Sequence, residues 1–122
     1  MTDSRVLLDT SAWMEFLAGT QQMKDIVDQN NPLFASVLSV FEIKRKLARL
    51  ELSLAKMRGI MDYIKSRSMV IDLTSAISED AAELKLHAVD ALIYASAKHK
   101  QAVLITYDYD FKHMDNVSLL TR

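Results

Sequence analysis

Short apolar runs alternate with helix-like patterns along the whole chain, and this order constrains the fold more than any other feature. The run Val6-Leu7-Leu8 is apolar at consecutive positions, which is typical of a strand covered on both faces. Strands are predicted at residues 5–8, 33–38, 69–73, 102–106 and, more weakly, 117–120. Helices are predicted at residues 12–18, 21–29, 39–50, 54–66, 75–86 and 89–98. The alternation predicts an α/β fold with three α/β/α layers and a mostly parallel sheet of four to five strands.

Size and composition fit one domain spanning residues 1–122, because the chain has 122 residues of which 50% are apolar. There is no cysteine, so disulfides and thiolate metal sites are excluded. The apolar runs are far shorter than the ~20 residues that a membrane-spanning helix needs. We therefore expect a cytoplasmic protein with no membrane partner.

Basic residues are concentrated in one stretch of a chain whose formal net charge is −1. Proteins that bind nucleic acid often carry a positive excess, so any RNA contact must come from a local patch. The candidates for RNA binding lie on the predicted helix after the second strand: Lys44, Arg45, Lys46 and Arg49. A solvated helix face is the alternative interpretation of this patch.

Acidic residues recur where the predicted strands end. Asp9 follows the first strand, and Asp108 and Asp110 follow the fourth. Glu42 lies early in the helix after the second strand, and Asp90 lies near the start of the helix before the fourth. Because ligands of parallel α/β sheets bind outside the carboxyl ends of the strands, we expect three or four carboxylates to meet at one edge.

Clustered carboxylates repel one another and persist only when protons or a cation neutralise them. Oxygen ligands without cysteine favour a hard cation, Mg²⁺ or Mn²⁺. Each residue alone has a simpler role: Asp9 and Asp108 as turn or cap residues, Glu42 as capping-box partner of Ser39, and Asp90 as complement of a helix dipole. Their joint placement favours a metal site.

Four segments resemble the PIN-domain family and, within it, the VapC-like toxins of toxin–antitoxin pairs. They cover nearly the whole chain and occur in the family's order. The segments are residues 7–13 (LLDTSAW), 36–43 (SVLSVFEI), 88–97 (AVDALIYASA) and 104–111 (LITYDYDF).

The resemblance implies a ribonuclease that hydrolyses RNA with a metal-activated water. It implies metal ligands and catalytic residues at Asp9, Glu42, Asp90 and Asp108. Asp110 is the alternative to Asp108 as the fourth metal ligand. It also implies that Thr10, Ser11 and Thr106 line the site. Many members are homodimers silenced by a VapB-like antitoxin, so both partners are expected here.

Other functions and residues fit the pattern less well. A dehalogenase-type hydrolase needs an aspartate where Ser11 stands, and a receiver domain needs an acidic pair after the first strand. A non-catalytic or housekeeping PIN-like module that binds or processes RNA remains the alternative. Trp13 is expected in the core, whereas Met57, Met61 and Ile64 are expected to offer an apolar face to a second subunit or an antitoxin.

Overall fold

The computed structural model describes residues 5–122, in which five strands form one parallel sheet. The strands are β1 (Val6–Leu8), β2 (Leu33–Ser36), β3 (Met69–Ile71), β4 (Val103–Thr106) and β5 (Val117–Leu119). Their order is β3-β2-β1-β4-β5, so β1 lies at the centre. The chain moves outward from β1 through β2 to β3 and then returns to β4 on the other side. The neighbouring ends of β1 and β4 therefore form the topological switch point.

Six α-helices connect these strands within residues 5–122. They are α1 (Thr10–Leu17), α2 (Gln21–Asp28), α3 (Val37–Ala48), α4 (Leu54–Arg67), α5 (Ser75–Ala81) and α6 (Ala88–His99). A short 3₁₀ turn, Tyr109–Phe111, follows β4. The predicted α/β class and the parallel sheet are confirmed.

The core has two halves, one on each face of the sheet, because consecutive strand residues point to opposite sides. Leu7 packs with buried residues of α5 and α6, such as Ile77 and Ile93. Leu8 packs with buried residues of α1 to α4, such as Trp13 and Ile43. The helices thus form a layer on each face, which confirms the three α/β/α layers.

The start of α3 differs from the prediction. Strand β2 ends at Ser36, whose side chain accepts a hydrogen bond from the Leu38 amide at 3.1 Å and caps the helix. The predicted capping box at Ser39 is therefore wrong, because Ser39 lies fully buried inside α3. The local S-x-x-E spacing occurs in the sequence, but helix formation begins one turn earlier.

The start of α1 also differs. Helix α1 begins at Thr10 instead of the predicted residue 12, because its cap is Asp9, which accepts a hydrogen bond from the Ala12 amide at 2.9 Å. At the other end Gly19 has a φ of +89°, a conformation that favours glycine, so it terminates α1 as expected. The capping role of Asp9 fixes its position at the end of β1.

The apolar face expected on α4 is mostly part of the chain's own core, because only Met57 of its three residues stays partly exposed. Ile64 is fully buried and Met61 is nearly so, both in the half of the core below α1 to α4. Trp13 lies in the same half with no exposed surface, as predicted. Helix α5 ends at Ala81 instead of residue 86, so α5 and α6 are separate helices joined by a tight connection.

None of the helices in the described range is long and apolar enough to cross a membrane.

Candidate active site

An acidic cleft of about 290 Å³ opens at the switch point between the carboxyl ends of β1 and β4. Four of the five predicted acidic residues line it. The cleft is lined by Asp9, Thr10, Ser11, Met14, Glu42, Lys46, Asp90, Ile93, Asp108 and Arg122. The fifth, Asp110, borders a neighbouring cavity together with His87. The expectation that remote carboxylates gather at one sheet edge is therefore met by the geometry.

Asp9 lies at the base of the cleft, 5% exposed, and its two oxygens have different surroundings. Oδ1 accepts hydrogen bonds from the Ser11 hydroxyl at 2.7 Å and from the Ala12 amide. Oδ2 accepts one hydrogen bond, from the Thr106 hydroxyl at 2.5 Å. Since a carboxylate oxygen has two lone pairs, Oδ2 keeps one for a further ligand. Burial raises the pKa of Asp9, and these hydrogen bonds oppose the rise.

Two hydroxyl groups tie Asp9 to the chain that follows β4. Thr106 donates to Asp9 and accepts from the Asp108 amide at 2.9 Å. Ser11 also donates to Asp9 and accepts from the Tyr107 amide at 2.9 Å. Thr106 was expected to line the site, but it is fully buried behind Asp9 and does not border the cleft. It therefore acts on the site only through the Asp9 carboxylate.

Glu42 is hydrogen-bonded to Thr10, the first residue of α1. Its Oε1 accepts a hydrogen bond from the Thr10 hydroxyl at 2.5 Å, and the Thr10 and Ser39 hydroxyl oxygens are 3.1 Å apart. Glu42 therefore orients toward the cleft from the second turn of α3. The simpler role considered for it, as capping partner of Ser39, is wrong.

Asp90, Asp108 and Asp110 form the tightest acidic group in the described part of the chain. Each offers one carboxylate oxygen, and these oxygens lie within 4.8 Å of one another. Burial, followed by the charges of Asp108 and Asp9, raises the pKa of Asp90 to about 6, while nearby His87 opposes the rise. Asp108 also caps the 3₁₀ turn by accepting from the Asp110 amide at 2.9 Å.

These residues fit a divalent cation. All donors are carboxylate or hydroxyl oxygens, which hard cations such as Mg²⁺ and Mn²⁺ prefer. Asp9 retains a free lone pair on Oδ2, and none of the ion pairs found within residues 5–122 involves Asp90, Asp108 or Asp110. A cation bound here would relieve the repulsion that raises the pKa of Asp90.

The four basic residues predicted to bind RNA lie at different distances from the acidic residues, and only one of them lines the acidic cleft. Lys46 lines the acidic cleft, and Arg45 and Arg49 lie beside it on α3. Lys44 is exposed and borders neither the acidic cleft nor the smaller cleft beside Arg45 and Arg49. Arg122 was not among the predicted site residues, yet it lines the acidic cleft, pairs with Glu15 at 2.7 Å and lies over the Tyr107 ring. No local sequence signal marks this residue, because only the fold brings it to the cleft.

The raised pKa of Asp90 makes a prediction for the metal-free protein. A carboxyl whose pKa rises from 3.8 to about 6 on folding binds its proton more tightly in the folded state, so stability falls as the pH rises through this range. Asp90→Asn removes this penalty. We expect it to raise the free energy of unfolding by about 1–2 kcal/mol near pH 7, a figure lowered for solvent screening, and by almost nothing below about pH 4.

Urea unfolding in EDTA at both pH values measures this effect. The matched control is Asp62→Asn, an exposed residue of α4 that does not line the cleft. Equal stabilities of parent and Asp90→Asn near neutral pH would contradict the prediction.

A family model described as the PIN domain matches residues 6–117, so the chain belongs to the PIN-domain family. Among solved structures, it is similar to a toxin–antitoxin complex from Klebsiella pneumoniae, with TM-score 0.77, 22% identity, and 93% and 95% of the two chains covered. VapBC2 from Rickettsia felis, bound to a promoter DNA fragment, gives 0.77 at 19% identity, covering 95% and 97%. VapC20 from Mycobacterium tuberculosis, described as a sarcin-ricin loop cleaving toxin, gives 0.69 at 21%, covering 90% and 95%. At these identities the likeness establishes the fold.

Among curated proteins, none matches the chain.

Proposed function

We propose that this chain is a divalent-metal-dependent ribonuclease that hydrolyses RNA phosphodiester bonds. The observation that carries the proposal is the meeting of Asp9, Asp90 and Asp108 in one cleft at the switch point of a PIN-domain sheet. Asp9 and Asp108 also cap the elements that follow β1 and β4, but capping alone does not explain why carboxylate oxygens of Asp90, Asp108 and Asp110 lie within 4.8 Å of one another. A function that uses several negative charges together explains why they do.

Asp9, Asp90 and Asp108 are the proposed ligands of Mg²⁺ or Mn²⁺; Glu42 also lines the cleft, and Asp110 lies next to Asp90 and Asp108 in the neighbouring cavity. When bound, such a cation lowers the pKa of a water molecule and stabilises negative charge on phosphate oxygens. Asp108 is favoured over Asp110 as the fourth acidic residue because Asp108 lines the main cleft. Ser11 and Thr106 hold Asp9 in one orientation, which keeps its free oxygen directed to the site.

Two basic side chains that line the cleft, Lys46 and Arg122, can contact the negatively charged RNA backbone. Lys46 reaches the cleft from α3, and Arg122 reaches it from the segment that follows β5. Phosphate contacts from lysine and arginine position nucleic acid without reading its sequence. We propose that these two side chains hold the phosphates on either side of the bond to be cut.

The toxin role and its partners belong to the same proposal. Similar structures include toxin–antitoxin complexes from Klebsiella pneumoniae and Rickettsia felis. On this basis we propose that the chain is the toxin of such a pair, restrained by an antitoxin protein, and that it acts as a homodimer. The dimer surface must lie outside Met61 and Ile64, because both are buried within the chain's own core.

Metal removal tests the proposed function. Single-stranded RNA should be cleaved in Mg²⁺ or Mn²⁺, cleavage should stop in EDTA, and excess metal should restore it, because the proposed mechanism needs a metal ion to activate the water and to stabilise charge on the phosphate. Gel analysis of end-labelled RNA measures this. Cleavage that persists in EDTA would contradict the mechanism, and metal-independent binding without cleavage would favour a non-catalytic PIN module.

A further inference from the structure

A second cleft, of about 220 Å³, adjoins the acidic cleft along one face of α3. Glu42 and Lys46 border both clefts, so the two clefts are neighbours along α3. The other lining residues of the second cleft are Phe41, Arg45 and Arg49. They follow one another at helical spacing and therefore share a face of α3.

Phe41 is the unusual member of this group, because its side chain is 57% exposed. Helix α3 already buries its apolar face through Ile43 and Leu47, so Phe41 contributes nothing to the core. The Arg45 guanidinium lies over the ring, 5.5 Å from its centroid. One face of the ring is thus covered by a cation, and the ring still presents a large open surface to solvent.

The charges beside Phe41 are available to an anion. None of the ion pairs found within residues 5–122 involves Arg45, Lys46 or Arg49. Glu42, the acidic residue of this cleft, is engaged by the Thr10 hydroxyl. An aromatic ring flanked by unpaired cations is complementary to a nucleotide, which has a flat base and a negative phosphate.

We propose that Phe41, Arg45 and Arg49 form a subsite for an unpaired nucleotide next to the phosphate in the acidic cleft. The base stacks on Phe41, and the adjoining phosphates contact the two arginines. Because a base must leave its helix to stack on a side chain, this subsite selects single-stranded RNA or exposed loops over duplex RNA. The inference rests on the proposed function for the nature of the substrate.

Binding to a non-cleaving protein tests the subsite. All variants carry Asp90→Asn, and fluorescence anisotropy follows a labelled single-stranded RNA of about 12 nucleotides over a range of salt concentrations. Phe41→Ala should weaken binding by roughly 10-fold to 100-fold with an unchanged salt slope, because stacking involves no charge. Arg49→Ala should weaken binding and reduce the slope of log affinity against log salt by about 0.7. Phe41→Trp should bind as tightly as the parent.

Matched controls separate the subsite from general effects. Leu54→Ala removes another exposed apolar side chain, and Arg58→Ala removes a cation of α4. Neither should lower RNA affinity. Duplex RNA of the same sequence should bind weakly and lose little on Phe41→Ala.

Two results would overturn the proposal. One is an unchanged affinity of Phe41→Ala for single-stranded RNA. If that variant also binds a partner protein less well, the surface is a protein interface and the proposal is equally wrong. The other is an equal loss for duplex and single-stranded RNA, which would show that the surface senses charge alone. A parent protein that binds RNA through Phe41 but never cleaves it would defeat the proposed nuclease and leave this subsite supported.

Discussion

Asp90→Asn is expected to reduce RNA cleavage by about a thousandfold or more, because a catalytic metal ion contributes several kcal/mol to the transition state and each ~1.4 kcal/mol is tenfold in rate. The asparagine keeps the size of the side chain but removes the negative charge. Asp90 belongs to the aspartate group whose oxygens lie within 4.8 Å, so its loss should weaken cation binding directly. Single-turnover cleavage of end-labelled RNA at saturating protein measures the rate.

Three comparisons make this result specific. Asp9→Asn should have a similar effect, since Asp9 Oδ2 accepts one hydrogen bond from Thr106 and keeps a second lone pair for the metal ion. Asp62→Asn, purified in the same way, should cleave at the parent rate, which also shows that no contaminating nuclease is present. Circular dichroism should show a folded Asp90→Asn protein. A folded variant that cleaves RNA at the parent rate would sink the assignment of Asp90 to the metal site.

Trp13→Ala should lower the free energy of unfolding by about 3–5 kcal/mol, the range for deletion of a large aromatic side chain from a core. Trp13 has no exposed surface and packs edge to face against Phe16, with ring centroids 6.0 Å apart. The neighbours are held by a parallel sheet and four helices, so the space left behind cannot collapse fully. Urea unfolding with fitted m-values measures the loss.

Trp13→Phe should cost much less, about 1 kcal/mol, because two effects oppose each other. The smaller ring loses apolar contacts, but the Trp13 indole Nε1 is buried without a hydrogen-bond partner in the described structure. Removing that donor recovers the cost of its desolvation, about 1–3 kcal/mol. Leu54→Ala should stay within about 0.5 kcal/mol of the parent. A Trp13→Phe variant as unstable as Trp13→Ala would show that the indole nitrogen has a partner, such as a buried water.

The sheet was predictable because its signal is local. Each strand is a short apolar run, and each of the first three is followed by helix patterns that favour a parallel crossover. Asp9 could be assigned to a sheet edge for the same reason, since it directly follows Val6-Leu7-Leu8. The resemblance to the PIN-domain family added the relation between Asp9, Glu42 and Asp90, which no local pattern contains.

The element ends were less predictable because two local signals compete there. Val37 and Leu38 are apolar and extend the pattern of β2, so the sequence predicts strand up to residue 38. Strand β2 stops at Ser36, where its last pairing residue faces Ile71 of the edge strand β3. With no strand pairing beyond that point, the Ser36 cap starts α3 at once. Sheet geometry, which a local pattern does not include, decides the boundary.

Other site features depend on contacts between distant parts of the chain. Arg122 reaches the acidic cleft through an ion pair with Glu15 and a ring contact with Tyr107. Thr106 has the expected residue type, but its position behind Asp9 follows from the register of β1 and β4. Nothing in the sequence distinguishes Phe41 from other apolar residues of a helix, and only its exposure beside Arg45 indicates a separate role.

The order in which the chain is synthesised has a consequence for when the cleft can exist. The hydrogen bond from Thr106 to Asp9 joins residues 97 positions apart. A ribosome adds residues at about 5–20 per second, and β4 leaves it long after the central strand has emerged. Until β4 pairs with β1, Asp9 lacks its bond to Thr106 and Asp108 is far away. The cleft therefore cannot form until the chain as far as Asp108 has left the ribosome and β4 has paired with β1.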